Sequence, residues 1–109
     1  MPIRLAGSLE GRAPRDVTVV DLSLTGCLVQ CETLLDHGAI FDLRVELAPE
    51  PLTAKVQVTE ASLDGAASAP SPRYLAGLRF LGLPVKEEAR LMRFLDGERR
   101  RRSADATPH

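Results

Sequence analysis

Apolar and polar residues alternate along most of this chain with a period of two. Such alternation is typical of antiparallel strands that bury one face and expose the other. It predicts six strands, over about residues 3–9, 17–21, 27–31, 41–47, 52–59 and 74–80. Pro49 and Pro51 end the fourth strand, because proline cannot donate to a strand ladder. Residues 64–72 are small residues and prolines, which predict a loop.

The pattern changes to a helical period after Pro84. Val85, Ala89, Met92 and Leu95 recur at helical spacing. Proline suits the first turn of a helix and glycine its end, so the helix is predicted to finish at Gly97. The chain is therefore predicted to be mostly β, a six-stranded antiparallel β-barrel with a C-terminal α-helix. This single domain would span residues 1–97, followed by a basic, disordered tail over 98–109.

Composition narrows the class of protein. The 109 residues suffice for one domain, and 44% are hydrophobic and 27% charged, as in ordinary globular proteins. Neither a secretion signal nor a membrane span is visible, so a cytoplasmic location is expected. The net charge is −1, with 10 basic and 13 acidic side chains in residues 1–97. The weakly acidic charge of residues 1–97 argues against general binding of nucleic acid.

Chemistry-bearing residues are few. Cys27 and Cys31 lie four apart in a predicted strand, about 13 Å between Cα atoms, which is too far for a disulfide. They are interpreted as core thiols, and His37 and His109 add no metal-ligand spacing. No nucleophile motif, phosphate loop or placed general base is recognisable. The sequence therefore predicts neither an enzyme nor a metal or cofactor site.

One dense polar cluster stands out, the segment Asp21-Leu22-Ser23-Leu24-Thr25-Gly26 between two strands. In a structural interpretation, the Asp and Ser side chains bond nearby backbone amides, and Gly26 provides a turn conformation closed to other residues. In a functional interpretation, Asp21 and Ser23 present polar groups at the barrel rim, and Gly26 lets a ligand approach the backbone. The residues alone leave both interpretations open.

The order of these features resembles the PilZ domain, a family of bacterial receptors for cyclic di-GMP. Asp21-x-Ser23-x-x-Gly26 is similar to the family's [Asn/Asp]-x-Ser-x-x-Gly motif. A strand and turn precede it, and the segments HGAIFDLRVEL, AKVQV and AGLRFLGL follow before the helix, so the resemblance covers about residues 2–96. It implies a six-stranded barrel that binds a nucleotide without chemistry. Asp21 and Ser23 would then contact the guanine or adjoining backbone, and Gly26 would shape the turn.

The family's second element, an Arg-x-x-x-Arg pair before the first strand, has no counterpart here. Arg12 and Arg15 have the wrong spacing and are expected at the far end of the first hairpin, about 20 Å from Asp21. Arg4 is the better candidate, because it is expected across from Asp21 or Leu22, where it would reach a ligand or pair with Asp21. The tail cluster of Arg99, Arg100, Arg101 and Arg102 could instead fold over the site, reach a second protomer in a homodimer, contact acidic lipid, or simply be solvated.

Two hypotheses follow. In the first, the chain is a cyclic di-GMP receptor that passes the signal to a protein partner in the cytoplasm. In the second, it is a PilZ-like adaptor that acts by protein contact without a nucleotide. The Asp21-x-Ser23-x-x-Gly26 motif favours the first hypothesis, and the missing arginine pair favours the second.

Overall fold

The computed structural model describes residues 1–11, 14–64 and 73–106, and their strands close into one antiparallel barrel. Around the barrel the strands follow the order β1-β2-β3-β6-β5-β4, and helix α1 ends the described chain. This confirms the predicted mostly-β barrel with a C-terminal helix. The elements are β1 (Pro2–Glu10), β2 (Arg15–Leu22), β3 (Gly26–Cys31), β4 (Ile40–Val45), β5 (Leu52–Asp64), β6 (Arg73–Phe80) and α1 (Val85–Ala106).

The apolar half of each alternating strand fills the barrel. Val19, Val29 and Val56 are fully buried, with their polar sequence neighbours on the outer face. Among the described residues no polar or charged residue is buried in the core. Alternation therefore identified the inward face of each strand correctly, because a period of two places every second side chain on the same side.

Strand β5 is longer than its hydrophobic pattern indicated. It continues past Thr59 to Asp64, and its last five residues pair with residues 73–77 of β6. The register between β5 and β6 shifts between Val58 and Glu60. Such a bulge changes which face the following side chains occupy, so the simple alternation stops although the strand goes on. Most of the predicted 64–72 loop, residues 65–72, lies outside the described residues.

Helix α1 packs across the barrel end at which β2 finishes and β5 begins. Leu91 and Leu95 are buried in the same core cluster as Leu22 and Leu52. Arg90 fastens the helix by donating to the carbonyls of Glu50 and Pro51, the latter at 3.1 Å. No helix in the described part of the chain has the length and hydropathy that crossing a membrane requires.

The helix does not end at Gly97, and residues 98–106 are not a disordered tail. They continue α1, which places Arg99, Arg100, Arg101 and Arg102 on a helix. Gly97 does not adopt a left-handed backbone, unlike Gly38 and Gly82. Ion pairs at i,i+3 spacing, Asp96 with Arg99 and Glu98 with Arg101, extend along this part of the helix and favour its continuation. Residues 107–109 of the predicted tail lie outside the described residues.

Candidate functional site

The structure brings the three motif residues Asp21, Ser23 and Gly26 together in one open cleft of about 410 Å³. Asp21 lies near the end of β2, Ser23 lies in the turn, and Gly26 starts β3. The opposite wall comes from β5 and β6 and includes Thr59, Glu60, Gly77 and Arg79. The cleft is thus formed where four neighbouring strands of the barrel, β2, β3, β6 and β5, meet the turn that carries the motif.

Local hydrogen bonds fix the conformation of the motif turn. The Ser23 hydroxyl donates to the Gly26 carbonyl at 3.2 Å and accepts from the Thr25 amide at 3.3 Å. The Ser23 amide also donates to the Gly26 carbonyl at 2.9 Å. Short side-chain bonds of this kind are the usual reason for serine in a turn. Ser23 therefore has a structural role in addition to its position in the cleft.

Gly26 is needed for a reason that differs from the sequence-based interpretation. Its backbone is not left-handed, so the turn itself does not require glycine. A Cβ at this position would lie 2.0 Å from the Leu78 carbonyl oxygen of β6, which is far inside van der Waals contact. Gly26 therefore permits the close approach of β3 to β6 rather than a special turn conformation.

Asp21 keeps part of its carboxylate available in the cleft. One oxygen, Oδ1, accepts from the Met1 ammonium at 2.6 Å, yet the side chain is 48% exposed. The carboxylate also affects Cys27, which lies beside it. Burial, and to a lesser degree the charge of Asp21, raises the pKa of Cys27 to about 12. Cys27 is therefore a protonated thiol and not a nucleophile.

Arg79 is a cleft residue that sequence reasoning missed. Its Cα is the cross-strand partner of Gly26, so its outward side chain stands beside the motif. Its Nη2 donates to Gln57 Oε1 at 2.9 Å, and no carboxylate among the described residues lies within 4 Å of the guanidinium. The sequence shows Arg79 on the polar face of a strand, but not that β6 pairs with β3 in this register.

Arg4 does not lie in this cleft. The register of β1 against β2 pairs Pro2 with Asp21 and then shifts before Leu5, which pairs with Val19. Arg4 therefore lies two residues further along β1 than the residue that pairs with Asp21, and it lines a different groove together with Arg15 and Arg73. The prediction that Arg4 stands across from Asp21 or Leu22 is therefore wrong.

Of the four helical arginines, Arg99 lines a crevice together with the motif turn. The crevice, of about 330 Å³, lies between α1 and the motif turn, which contributes Leu22, Ser23 and Leu24. Arg102 donates to the carbonyl of Pro2, Arg99 pairs with Asp96, and Arg101 pairs with Glu98. None of the four lines the cleft that holds Asp21, Ser23 and Gly26.

The two cysteines are unreactive thiols, and the described residues contain no metal-binding cluster. Cys27 and Cys31 are free thiols, as predicted. Burial also raises the pKa of Cys31, although its hydrogen bond to the Thr33 carbonyl and the charge of Arg15 oppose this. In the described ranges no group of three His, Cys, Asp or Glu side chains is arranged to hold a metal ion.

A closed six-stranded barrel, with a polar cleft beside the β2–β3 turn and a helix across one end, is the architecture of a small β-barrel domain. The PilZ domain family model matches residues 1–97, and the chain belongs to this family. Curated protein sequences gave no match.

Solved structures show the same fold at low sequence identity. The PilZ domain with c-di-GMP of YcgR from Escherichia coli aligns with a TM-score of 0.75 and 19% identity, over 95% of this chain and 89% of that one. MrkH of K. pneumonia in its apo state aligns with a TM-score of 0.77 and 16% identity, over 92% of this chain. The alignment covers 50% of MrkH, so this chain corresponds to about half of that protein.

Proposed function

We propose that this protein is a non-catalytic cyclic di-GMP receptor that binds the nucleotide in the cleft of Asp21, Ser23, Gly26 and Arg79. The observation that carries the proposal is the position of Arg79. It stands across from the motif glycine, in the same cleft as the Asp21 carboxylate. Membership of the PilZ family and the fold shared with the c-di-GMP-bound domain of YcgR support this assignment.

The groups in the cleft complement the edges of a guanine base. Guanine presents acceptors at O6 and N7, which an arginine fork can bind together, and donors at N1 and N2, which a carboxylate accepts. Arg79 offers the fork, while Asp21 and Glu60 offer carboxylates. The Arg79 guanidinium and the Met1 ammonium that pairs with Asp21 balance these two carboxylates, so the cleft has no net positive charge. A site without net positive charge favours a base over a phosphate.

The motif turn provides a route from the ligand to a protein partner. Ser23 lies in the cleft and also in the crevice against α1, where Met92 and Leu95 form the other wall. Leu24 and Met92 are 44% and 46% exposed in that crevice. Exposed apolar side chains of this size suit contact with another protein. A ligand that repositions the turn would therefore change an apolar surface that a partner can contact.

The test is calorimetric titration of cyclic di-GMP into the full chain and two cleft variants, Asp21→Ala and Arg79→Gln. Each variant is expected to bind about 10- to 100-fold more weakly, as for loss of a charge-assisted or bidentate contact of roughly 1.5–3 kcal/mol. Arg44→Gln is the matched control, because Arg44 is exposed on β4 and its one ion pair within residues 1–11, 14–64 and 73–106 is with Glu46. Cyclic di-AMP tests recognition of the base, because adenine lacks the O6 acceptor and the N2 donor.

Absence of heat with cyclic di-GMP up to about 1 mM, equivalent to roughly −4 kcal/mol, would refute the receptor function. The alternative would then be a nucleotide-independent adaptor. One observation favours that alternative: Ser23 already satisfies its hydroxyl within its own turn. In that case Leu24→Ser would weaken partner binding, while Asp21→Ala would leave it unchanged.

A further inference from the structure

A second groove lies beside β2 and β3, apart from the cleft around Gly26, and has a volume of about 540 Å³. Three arginines from three different strands line it, with a glutamine and two threonines between them. They are Arg4 of β1, Arg15 of β2, Arg73 of β6, Gln30 of β3, Thr18 of β2 and Thr33. Nothing in the motif or in the proposed function accounts for three guanidinium groups in one groove.

Within the described part of the chain, these arginines form no ion pair with an acidic side chain. Among the described residues, no carboxylate lies within 4 Å of the guanidinium of Arg4, Arg15 or Arg73. Asp16 and Glu32 also line the groove, so three arginines against two carboxylates leave a formal charge of +1.

The surroundings of Arg73 and Arg15 give the strongest evidence that the groove has room for an anion. Asp64 is the cross-strand partner of Arg73, but its Oδ2 accepts from Gln30 Nε2 at 2.8 Å instead of pairing with Arg73. The Nε of Arg15 is buried and has no hydrogen-bond partner among the residues that the structure describes. A buried donor without a partner is costly, and an anion in the groove offsets the uncompensated charge of such a guanidinium.

We propose that this groove binds the phosphate groups of a small phosphorylated molecule. Guanidinium forks match phosphate oxygens in geometry as well as charge, and the threonine hydroxyls and the Gln30 amide supply additional polar contacts. The volume of the groove is that of a small-molecule site. The proposal does not depend on cyclic di-GMP binding at the Gly26 cleft.

The test uses inorganic pyrophosphate as the probe and the ¹⁵N–¹H NMR spectrum of the full chain as the readout, at constant ionic strength. Saturable shifts are expected at the amides of Thr18, Gln30 and Thr33. The double variant Arg4→Gln/Arg73→Gln is expected to weaken binding at least about tenfold. Both side chains are exposed, so the variant is expected to fold, and the dispersion of its spectrum checks this.

Two controls make the outcome specific. Arg44→Gln removes an exposed arginine from another part of the barrel and should leave pyrophosphate binding unchanged. Asp21→Ala should also leave it unchanged, which separates this groove from the Gly26 cleft. Shifts that rise linearly without saturation, or equal affinity for the wild type and the double arginine variant, would overturn the proposal.

Discussion

Gly26→Ala is expected to be one of the most destabilising single-methyl additions in this protein. The added Cβ would lie 2.0 Å from the carbonyl oxygen of Leu78, 3.1 Å from its carbonyl carbon and 3.2 Å from the Cα of Arg79. All three neighbours are backbone atoms of β6, so no side-chain rotation relieves the clash. Strands β3 and β6 must therefore separate by about 1 Å, which is comparable to the strain of overpacking in a core.

The cost can be worked from the bonds that this separation breaks. The adjacent bond from the Phe80 amide to the Thr25 carbonyl is 2.9 Å long, and a 1 Å displacement takes it beyond hydrogen-bonding distance. Loss of about two backbone bonds at roughly 1 kcal/mol each, with about 1–3 kcal/mol of strain, gives about 3–5 kcal/mol. Domains of this size are stable by only about 5–15 kcal/mol in total, so much of the stability is lost.

Urea unfolding followed by circular dichroism measures this loss. With an m-value of roughly 1.5 kcal/mol/M, a loss of 3 kcal/mol lowers the unfolding midpoint by about 2 M. Gly97→Ala is the matched control, because a Cβ there meets nothing within 4 Å and the position is helical. It should raise the stability by about 0.5–1 kcal/mol. A urea midpoint for Gly26→Ala within about 0.3 M of the wild type would refute the close approach of β3 to β6 at Gly26. Destabilisation by Gly97→Ala would refute a helix that continues through Gly97.

Two further predictions concern the core and the thiols. Leu91→Ala should lower the free energy of unfolding in urea by about 2–5 kcal/mol, because the Leu91 side chain on α1 is fully buried against the barrel. Met92→Ala, at an exposed neighbour, should stay within about 0.5 kcal/mol, and equal losses would contradict the packing of α1. The thiol of Cys27, with its pKa raised to about 12, should react with a disulfide reagent at pH 8 far more slowly in the native protein than in urea. This pKa is higher in the folded than in the unfolded state, so the free energy of unfolding should fall as pH rises from about 9 towards 12. Cys27→Ala should reduce that fall. An alkaline stability profile that Cys27→Ala leaves unchanged would contradict the raised pKa.

The strands were predictable because burial on one side repeats every two residues. The helix end was not, because Gly97 carries a standard end signal that local interactions override. Its neighbours Asp96 and Glu98 pair with Arg99 and Arg101 one turn later, and the cost of one glycine in a helix is only about 1 kcal/mol. The extension of β5 was likewise hidden, because the bulge at Val58–Glu60 breaks the alternation while the pairing continues.

The candidate site was predictable only as far as it is contiguous in sequence. Asp21, Ser23 and Gly26 lie within six residues, so the motif locates them together. Arg79 is more than fifty residues away, and only the register of β3 against β6 brings it to Gly26. Arg4 was misplaced for the same reason, since the register that pairs Pro2 rather than Arg4 with Asp21 has no signature in the sequence. Register depends on bulges and on packing between strands, and a hydrophobic pattern specifies it only to within such shifts.

The structural role of Gly26 determines which substitutions can test the site. A Gly26 variant that loses nucleotide binding would show only that the barrel is damaged, because its contact with Leu78 holds β3 against β6. A Ser23 variant that loses nucleotide binding would be equally ambiguous, because Ser23 also forms hydrogen bonds within its own turn. Arg79 does not, since its side chain is exposed and its one hydrogen bond among the described residues is to Gln57. If Arg79→Gln unfolds in urea like the wild type and yet loses cyclic di-GMP binding, the loss belongs to the ligand contact. Unchanged affinity would remove Arg79 from the site and with it the observation on which the proposed function depends.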